Sequence, residues 1–281
     1  IGYRRIDMSV VAVVQHCAGT DVETNLATLE LLSKQAASSG AEFITWPEAF
    51  AYIGRHEGKK EILESLTDNG PILTRCRELA ANLKCPLLLG GFHEAAPDRD
   101  KCFNTTLVLN ESGEIATTYR KIHLFDVAIE NGPQLMESKH TEAGDIAVTT
   151  ETIFGKLGLT ICYDVRFPAL YQRLTELGAI AHAVPSAFTK ETGQAHWHTL
   201  LRARAIETQS YIIAPAQHGR HSKNRSSFGH SVIIDPWGRV LAELPDGDGF
   251  ALAEINEERV SEVRAQIPSL LNKRAFRSST Q

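Results

Sequence analysis

"KLGLTICYDVRFPALYQRLTELGAIAHAVPS", residues 156–186, reads as strand, junction, helix and strand in one short stretch. The apolar run over 156–164 has the continuous character of a strand buried on both faces. Pro168 and Gly178 then bracket an amphipathic segment, in the positions that proline and glycine favour at the start and end of a helix. "AIAHAVPS" (179–186) returns to strand. Such a unit implies parallel strands joined by a crossover helix. One residue breaks the pattern. Cys162 stands where strand gives way to helix and is followed at once by Tyr163, Asp164 and Arg166. A free cysteine is most often a small core residue, so its meaning depends on its surroundings.

Working outward, the same alternation fills the chain. Downstream, "QAHWHTLLRARAIETQ" (194–209) has helical periodicity, "YIIAPAQ" (211–217) reads as a strand, and "HSVIIDPWGRVLAEL" (230–244) as a hairpin turning at Pro236-Trp237-Gly238. "GFALAEI" and "NEERVSEVRAQI" add a strand and a helix. Upstream, "SVVAVVQ" (9–15), "EFITWPE" (42–48) and "CPLLLGGF" (85–92) read as strands, separated by helices over 24–40 and near 71–84. "NTTLVLNESGEIATTYRK" (104–121) follows as a hairpin turning at Ser112-Gly113. Strand–helix–strand–helix–strand–hairpin therefore occurs twice. The expected fold is α/β: two sheets face to face with helices outside each, an αββα four-layer sandwich with an internal pseudo-repeat. Residues 8–281 are expected to form one domain, and 1–7, "IGYRRID", are read as a leader or cloning remnant.

The bulk numbers narrow the function. A chain of 281 residues with 43% hydrophobic composition can bury a sizeable core. A net charge of −5 argues against a nucleic-acid or anionic-membrane footprint. No apolar run approaches the roughly 20 residues that span a bilayer. Five scattered cysteines without a CxxC predict neither a disulfide framework nor a zinc knuckle, and a cytoplasmic location is expected, a mitochondrial one also being open to a eukaryotic source. The N-x-[ST] matches at Asn104, Asn110 and Asn224 are then coincidental. "HWH" and "HGRH" lack the paired helical spacing of zinc hydrolases, and no P-loop or dinucleotide fingerprint is present, "LLLGGF" being too short a match. Neither metal nor cofactor is expected.

Reactive groups in α/β proteins gather at the carboxyl ends of strands. Three polar residues end apolar runs there: Glu48 in "FITWPE", Lys121 in "IATTYRK" and Cys162 in "LGLTIC". Thiol, carboxylate and ammonium suit acyl transfer. A cysteine before a helix gains thiolate character from the helix dipole. A carboxylate can take the thiol proton and later activate water. A lysine, with a backbone N–H such as that of Tyr163, can stabilise the oxyanion.

"WPEAF", "YRKIHLFD", "MESKHTEAG" and "GLTICYDVRFP" resemble, in that order, the motifs of the nitrilase (carbon–nitrogen hydrolase) superfamily. The resemblance covers nearly the whole chain and implies the αββα fold, Glu48 as general base, Lys121 as oxyanion stabiliser and Cys162 as nucleophile. It also implies a second carboxylate, Glu137, that positions Lys121; nothing in the residues themselves singles Glu137 out. "KIHLFD", "CYDVRFP", "PSAFTKETGQAHWHTLLRARAIETQSYIIAPAQHGRH" and "SFGHSVIIDPWG" are most similar to the Nit branch. That branch implies hydrolysis of the amide of a 2-oxoglutaryl group. The substrate is deaminated glutathione or, alternatively, 2-oxoglutaramate, and the compact "QHGRHSKNRSSFGHS" favours the former. Another amide or carbamoyl substrate stays open, whereas Cys–Tyr–Asp in place of Cys–Trp–Glu argues against nitriles. A non-catalytic scaffold is disfavoured because Glu, Lys and Cys are all present. The branch also implies a homodimer or homotetramer. Asn131-Gly132-Pro133 departs from its usual Pro-Gly sequence.

A small anionic substrate calls for cations. Arg166 is expected to pair with Asp164 or, failing that, to meet a substrate carboxylate. Arg220, His221, Lys223 and Arg225 form a basic loop able to meet the glycine carboxylate of a cysteinylglycine leaving group. Phe188 and Thr189, in "PSAFTKETG" (185–193), are expected on the cavity floor facing the acyl chain. His196 and Trp197 are expected to pack, and "RARAIE" (202–207) to form a helical ion-pair face.

Overall fold

The computed structural model describes residues 8–97, 100–128 and 134–279. The first half runs β1 (Ser9–His16), α1 (Val22–Ser38), β2 (Phe43–Trp46), α2 (His56–Lys60), α3 (Pro71–Leu83), β3 (Leu87–Ala95), β4 (Cys102–Leu109) and β5 (Ile115–Arg120). A bridging region holds β6 (Asp126–Ala128), β7 (Gln134–Met136) and β8 (Thr141–Glu142). The second half runs β9 (Thr149–Thr152), β10 (Gly155–Leu159), α4 (Pro168–Glu176), β11 (Ala181–Ala183), α5 (Lys190–Thr208) and β12 (Tyr211–Ala214). Then come β13 (Ala216–Ser222), β14 (Arg225–Phe228), β15 (Ser231–Ile234), β16 (Val240–Leu244), β17 (Gly249–Ile255), α6 (Glu257–Gln266) and α7 (Ser269–Asn272).

The pairing exposes the pseudo-repeat. In the first sheet β1, β2 and β3 are parallel, β4 and β5 add antiparallel at one side, and β17 pairs antiparallel with β1. In the second, β10, β11 and β12 are parallel, β15 and β16 add antiparallel, and β9 pairs antiparallel with β10. Alternation along each strand builds the layers. Ala12, Val14, Ile44, Leu87 and Leu89 face α1 and α3, meeting Leu26, Leu29, Leu73 and Leu79. Val11, Val13, Phe43 and Leu88 face the other sheet, sharing a core with Leu157, Leu159, Ala183 and Ile213. The rings of Phe43 and Phe154 meet edge-on across that middle layer at 5.5 Å. The αββα sandwich is thus the observed fold. Among the described residues no helix is long and apolar enough to cross a membrane.

Two expectations need correcting. "YIIAPAQ" is not one strand: Pro215 ends β12 in the second sheet, and Ala216 opens β13, which pairs with β1 in the first. Proline lacks the N–H a ladder needs, so the chain changes sheets there. Nor does Cys162 lead directly into α4. It opens a five-residue 3₁₀ turn, Cys162–Arg166, before α4 begins at Pro168.

Candidate active site

Each of the three strand-end residues is carried by a rigid element. Glu48 follows β2, Lys121 follows β5 and Cys162 follows β10, and all three line one cavity of about 480 Å³, a volume ordinary for a small-molecule site. Glu48 is placed by a close approach of the two halves. A Cβ on Gly90 would lie 2.1 Å from Pro185 Cβ, and one on Gly91, whose φ is +63°, would lie 2.8 Å from Glu48 Cγ. The Gly-Gly pair, at a register shift in β3, is therefore the wall behind Glu48. Ala49 and Cys162 adopt left-handed φ of 58° and 47°, conformations that cost a non-glycine residue about 1–2 kcal/mol. The Cys162 N–H donates to Pro185 O at 3.0 Å, which holds the thiol at the cavity base.

A polar network joins these groups, with the buried Asn104 Oδ1 its one atom lacking a partner among the described residues. Lys121 Nζ donates to Glu48 Oε1 at 3.0 Å and to Glu137 Oε2 at 2.9 Å. Asn104 Nδ2 donates to both carboxylates as well, at 2.8 Å and 3.0 Å. Backbone N–H groups complete them: Ala187 to Glu48 Oε2 at 2.8 Å and Phe125 to Glu137 Oε2 at 2.7 Å. Lys121 is only 2% exposed, so its charge depends on these partners. Burial pushes its ammonium down, but Glu137 and Glu48 more than offset that, and the group lies well above the ordinary lysine range. Burial likewise pushes the Glu48 carboxyl up; Lys121, Asn104 and the Cys162 thiol outweigh it, and the net shift is downward.

The thiol behaves differently from the expectation of a dipole-activated thiolate. Burial, then the Glu48 charge, pushes Cys162 well above the ordinary cysteine value despite Lys121. A single 3₁₀ turn has little dipole to oppose this. The resting arrangement is a neutral thiol in the same cavity as an ionised carboxylate and a fixed ammonium. Glu48 can therefore take the thiol proton as attack begins. Tyr163 N–H lies ahead of the 3₁₀ ladder, where no intrahelical acceptor exists, and its ring also lines the cavity.

Asp164, fully buried, locks this turn to the Lys121 segment. Its carboxylate accepts from Ile161 N–H at 2.8 Å, Tyr119 Oη at 2.7 Å and His123 N–H at 3.1 Å, and contacts His123 Nδ1 at 2.7 Å. The expected Asp164–Arg166 pair is therefore absent: residues two apart in a helical turn do not face each other. Arg166 instead contacts His196 Nδ1 at 3.3 Å and places its guanidinium over the rings of Tyr163 and Phe188, 5.8 Å and 5.2 Å from their centroids.

Phe188 and Thr189 line the cavity, and Thr189 occupies the N-cap position of α5 without a side-chain cap bond. The basic loop divides. Lys223 and Arg225 line the cavity. Arg220 turns back onto Ser222 O and Lys223 O, and His221 is held by Ala18 O and Ser227 Oγ, both at 2.8 Å. Trp197 packs, fully buried, and its indole donates to His230 O. In "RARAIE", Arg204 pairs with Glu207, but its Nε also donates to Val165 O and the residue is buried. The Asn131-Gly132-Pro133 departure and residues 1–7 lie outside the described residues.

Sequence reading missed Asn104, Asp164, Gly90, Gly91 and Lys59. A Gly-Gly inside an apolar strand signals a bulge or a close backbone approach; the other roles depend on contacts distant in sequence.

A sandwich that carries a thiol, a carboxylate and a buried ammonium at its strand ends has the parts of an acyl-transfer hydrolase. The chain belongs to the carbon–nitrogen hydrolase family, whose profile matches residues 10–265, and is thus a hydrolase of carbon–nitrogen amide bonds. A Dictyostelium discoideum protein called deaminated glutathione amidase is 43% identical over 259 residues, 90% of this chain and 89% of that protein. A Schizosaccharomyces pombe protein called probable hydrolase nit2 is 40% identical over 94% of this chain and 97% of its own length. Among solved structures, the Caenorhabditis elegans NitFhit protein superposes with a TM-score of 0.90 at 37% identity. The match covers 95% of this chain and 65% of the NitFhit chain.

Proposed function

We propose that the protein is a cysteine-dependent amidase that hydrolyses the amide of a 2-oxoglutaryl group, with deaminated glutathione as its substrate. The observation that carries the chemistry is Lys121 fixed between Glu48 and Glu137, with the Cys162 thiol in the same cavity. The support for the substrate is the name borne by relatives about 40% identical over most of the chain. The sulfur attacks the amide carbon as Glu48 accepts the thiol proton. Lys121 Nζ and Tyr163 N–H hold the oxyanion. When the tetrahedral species collapses, the C–N bond breaks and Glu48 returns the proton to the nitrogen, releasing cysteinylglycine. Water, deprotonated by Glu48, then adds to the thioester; 2-oxoglutarate leaves and the thiol regains its proton. Arg166 is not among the cavity-lining residues; its guanidinium lies against His196 and over the Tyr163 and Phe188 rings.

The test is the intact mass of enzyme quenched during turnover of deaminated glutathione. The expected result is a 2-oxoglutaryl adduct on Cys162, and Cys162→Ala that is folded but neither labelled nor active. Turnover by Cys162→Ala would overturn the nucleophile assignment.

A further inference from the structure

The cavity that holds Cys162 has a second, cationic wall built from parts far apart in sequence. Lys59 comes from α2, Lys223 from the turn after β13, and Arg225 from the first position of β14. None of the three has an ion-pair partner among the described residues, whereas neighbouring Lys60 pairs with Asp100 at 2.7 Å. The cavity's other carboxylates are Glu48 and Glu137, both held by Lys121, and Glu191 at the start of α5.

Lys59 is presented by design of the local backbone. Tyr52 fits between two notches that only glycine permits: a Cβ on Gly54 or Gly58 would lie 2.3 Å or 2.2 Å from the Tyr52 hydroxyl. That hydroxyl donates to Arg55 O at 3.1 Å, at the start of α2. The histidines on this wall add no charge at neutral pH. His93, whose Nε2 lies 3.1 Å from Tyr52 O, is pushed down to about 4, chiefly by burial and then by Lys59, with Arg225 adding to it. His56 and His140, stacked at 3.6 Å, are shifted downward too, by burial first. The permanent cations alone therefore define the wall, and an anion is the ligand that completes it.

We propose that Lys59 and Arg225, with Lys223 beside them, form a carboxylate-binding subsite for the leaving group. This rests on the amidase reading above and adds what selects the amine half of the substrate. A dipeptide amine reaches roughly 7 Å beyond the scissile nitrogen, so its terminal carboxylate extends past Cys162 and Lys121. Ammonia, the leaving group of 2-oxoglutaramate, reaches nothing. The subsite thus favours amides whose leaving group ends in a carboxylate. It also excludes a simple division of labour in which every cation serves the acyl half.

The experiment compares kcat/KM for deaminated glutathione and for its glycinamide form, which lacks only the terminal carboxylate, in the wild type and in Lys59→Met/Arg225→Met. The wild type should prefer the carboxylate form roughly ten- to hundredfold, the scale of a charge-assisted hydrogen bond. The double variant should turn over the glycinamide form, showing that it folds, with that preference reduced to near unity. A wild type without preference, or a variant that keeps it, overturns the subsite. An equal loss on both substrates assigns the cations to the acyl carboxylate and also overturns it. No turnover of either form by the wild type would instead sink the 2-oxoglutaryl reading itself, before any variant is made.

Discussion

Replacing Glu137 by Gln keeps its shape and removes its charge, and the network around it leaves no way to absorb the change. Glu137 Oε2 accepts from Lys121 Nζ and Phe125 N–H, and Oε1 accepts from Asn104 Nδ2. A glutamine has one acceptor and one NH₂. If its oxygen serves Lys121, its NH₂ faces the NH₂ of Asn104. Asn104 cannot flip without turning an oxygen toward Glu48, to which it now donates at 2.8 Å. If the glutamine turns the other way, NH₂ faces the ammonium. One charge-assisted hydrogen bond is lost either way, about 1.5–3 kcal/mol. Because Glu137 acts through Lys121, the loss should fall mainly on kcat, lowering it roughly 10- to 150-fold with little change in KM. Lys121 also loses the larger of the two carboxylate charges that hold it up, so the alkaline limb of the pH–rate profile should move to lower pH. Steady-state kinetics from pH 5 to 10 measure both. Wild-type kcat with an unmoved alkaline limb would refute the positioning role.

Asp164→Asn keeps one of the carboxylate's two acceptor oxygens for four donors and should cost about 3 kcal/mol, lowering Tm by roughly 6–12 °C at this chain size; calorimetry giving an unchanged Tm contradicts the lock between residues 161–164 and 119–123. Gly90→Ala drives a Cβ to within 2.1 Å of Pro185 Cβ and should destabilise by about 1–3 kcal/mol while lowering kcat through Glu48; equal stability and activity would mean the two halves do not meet there. For pH, activity needs ionised Glu48 with protonated Cys162 and Lys121. Since the first lies low and the others high, kcat should be flat from about pH 5 to 8; a bell centred near neutrality would refute this. Stability should behave otherwise: burial pushes His93 and His221 down to about 4 and His182 down to about 3. Groups with depressed folded values contribute stability that is full above their unfolded value near 6.5 and lost as pH falls through the folded ones, so Tm should drop between pH 6.5 and 3.

Periodicity and punctuation made the architecture legible: apolar strands, amphipathic helices and two hairpins recur in the same order, and both sheets follow it. Pro215 was visible but read through, because the apolar residues on its two sides look continuous and only the sheets they join differ. Glu48, Lys121 and Cys162 were legible as polar residues ending apolar runs; Glu137 came from family resemblance, since a loop glutamate carries no local sign that it will face a lysine sixteen residues away. Asn104 shows the opposite failure: a glycosylation-like triplet drew notice, while its position between two carboxylates is a property of the folded sheet, in which β3 separates β4 from β2, and of the segment that brings in Glu137. Lys59 sits in a charged stretch, "HEGKK", that looks solvated until Tyr52 seats between Gly54 and Gly58.

The measurement that bears most directly on the whole account is kcat/KM of the wild type for deaminated glutathione against 2-oxoglutaramate. Both present the same acyl group to Cys162, and only one carries a carboxylate toward Lys59 and Arg225. The account predicts turnover of both with a ratio well above one. A ratio well below one would contradict it, assigning the enzyme to the smaller amide.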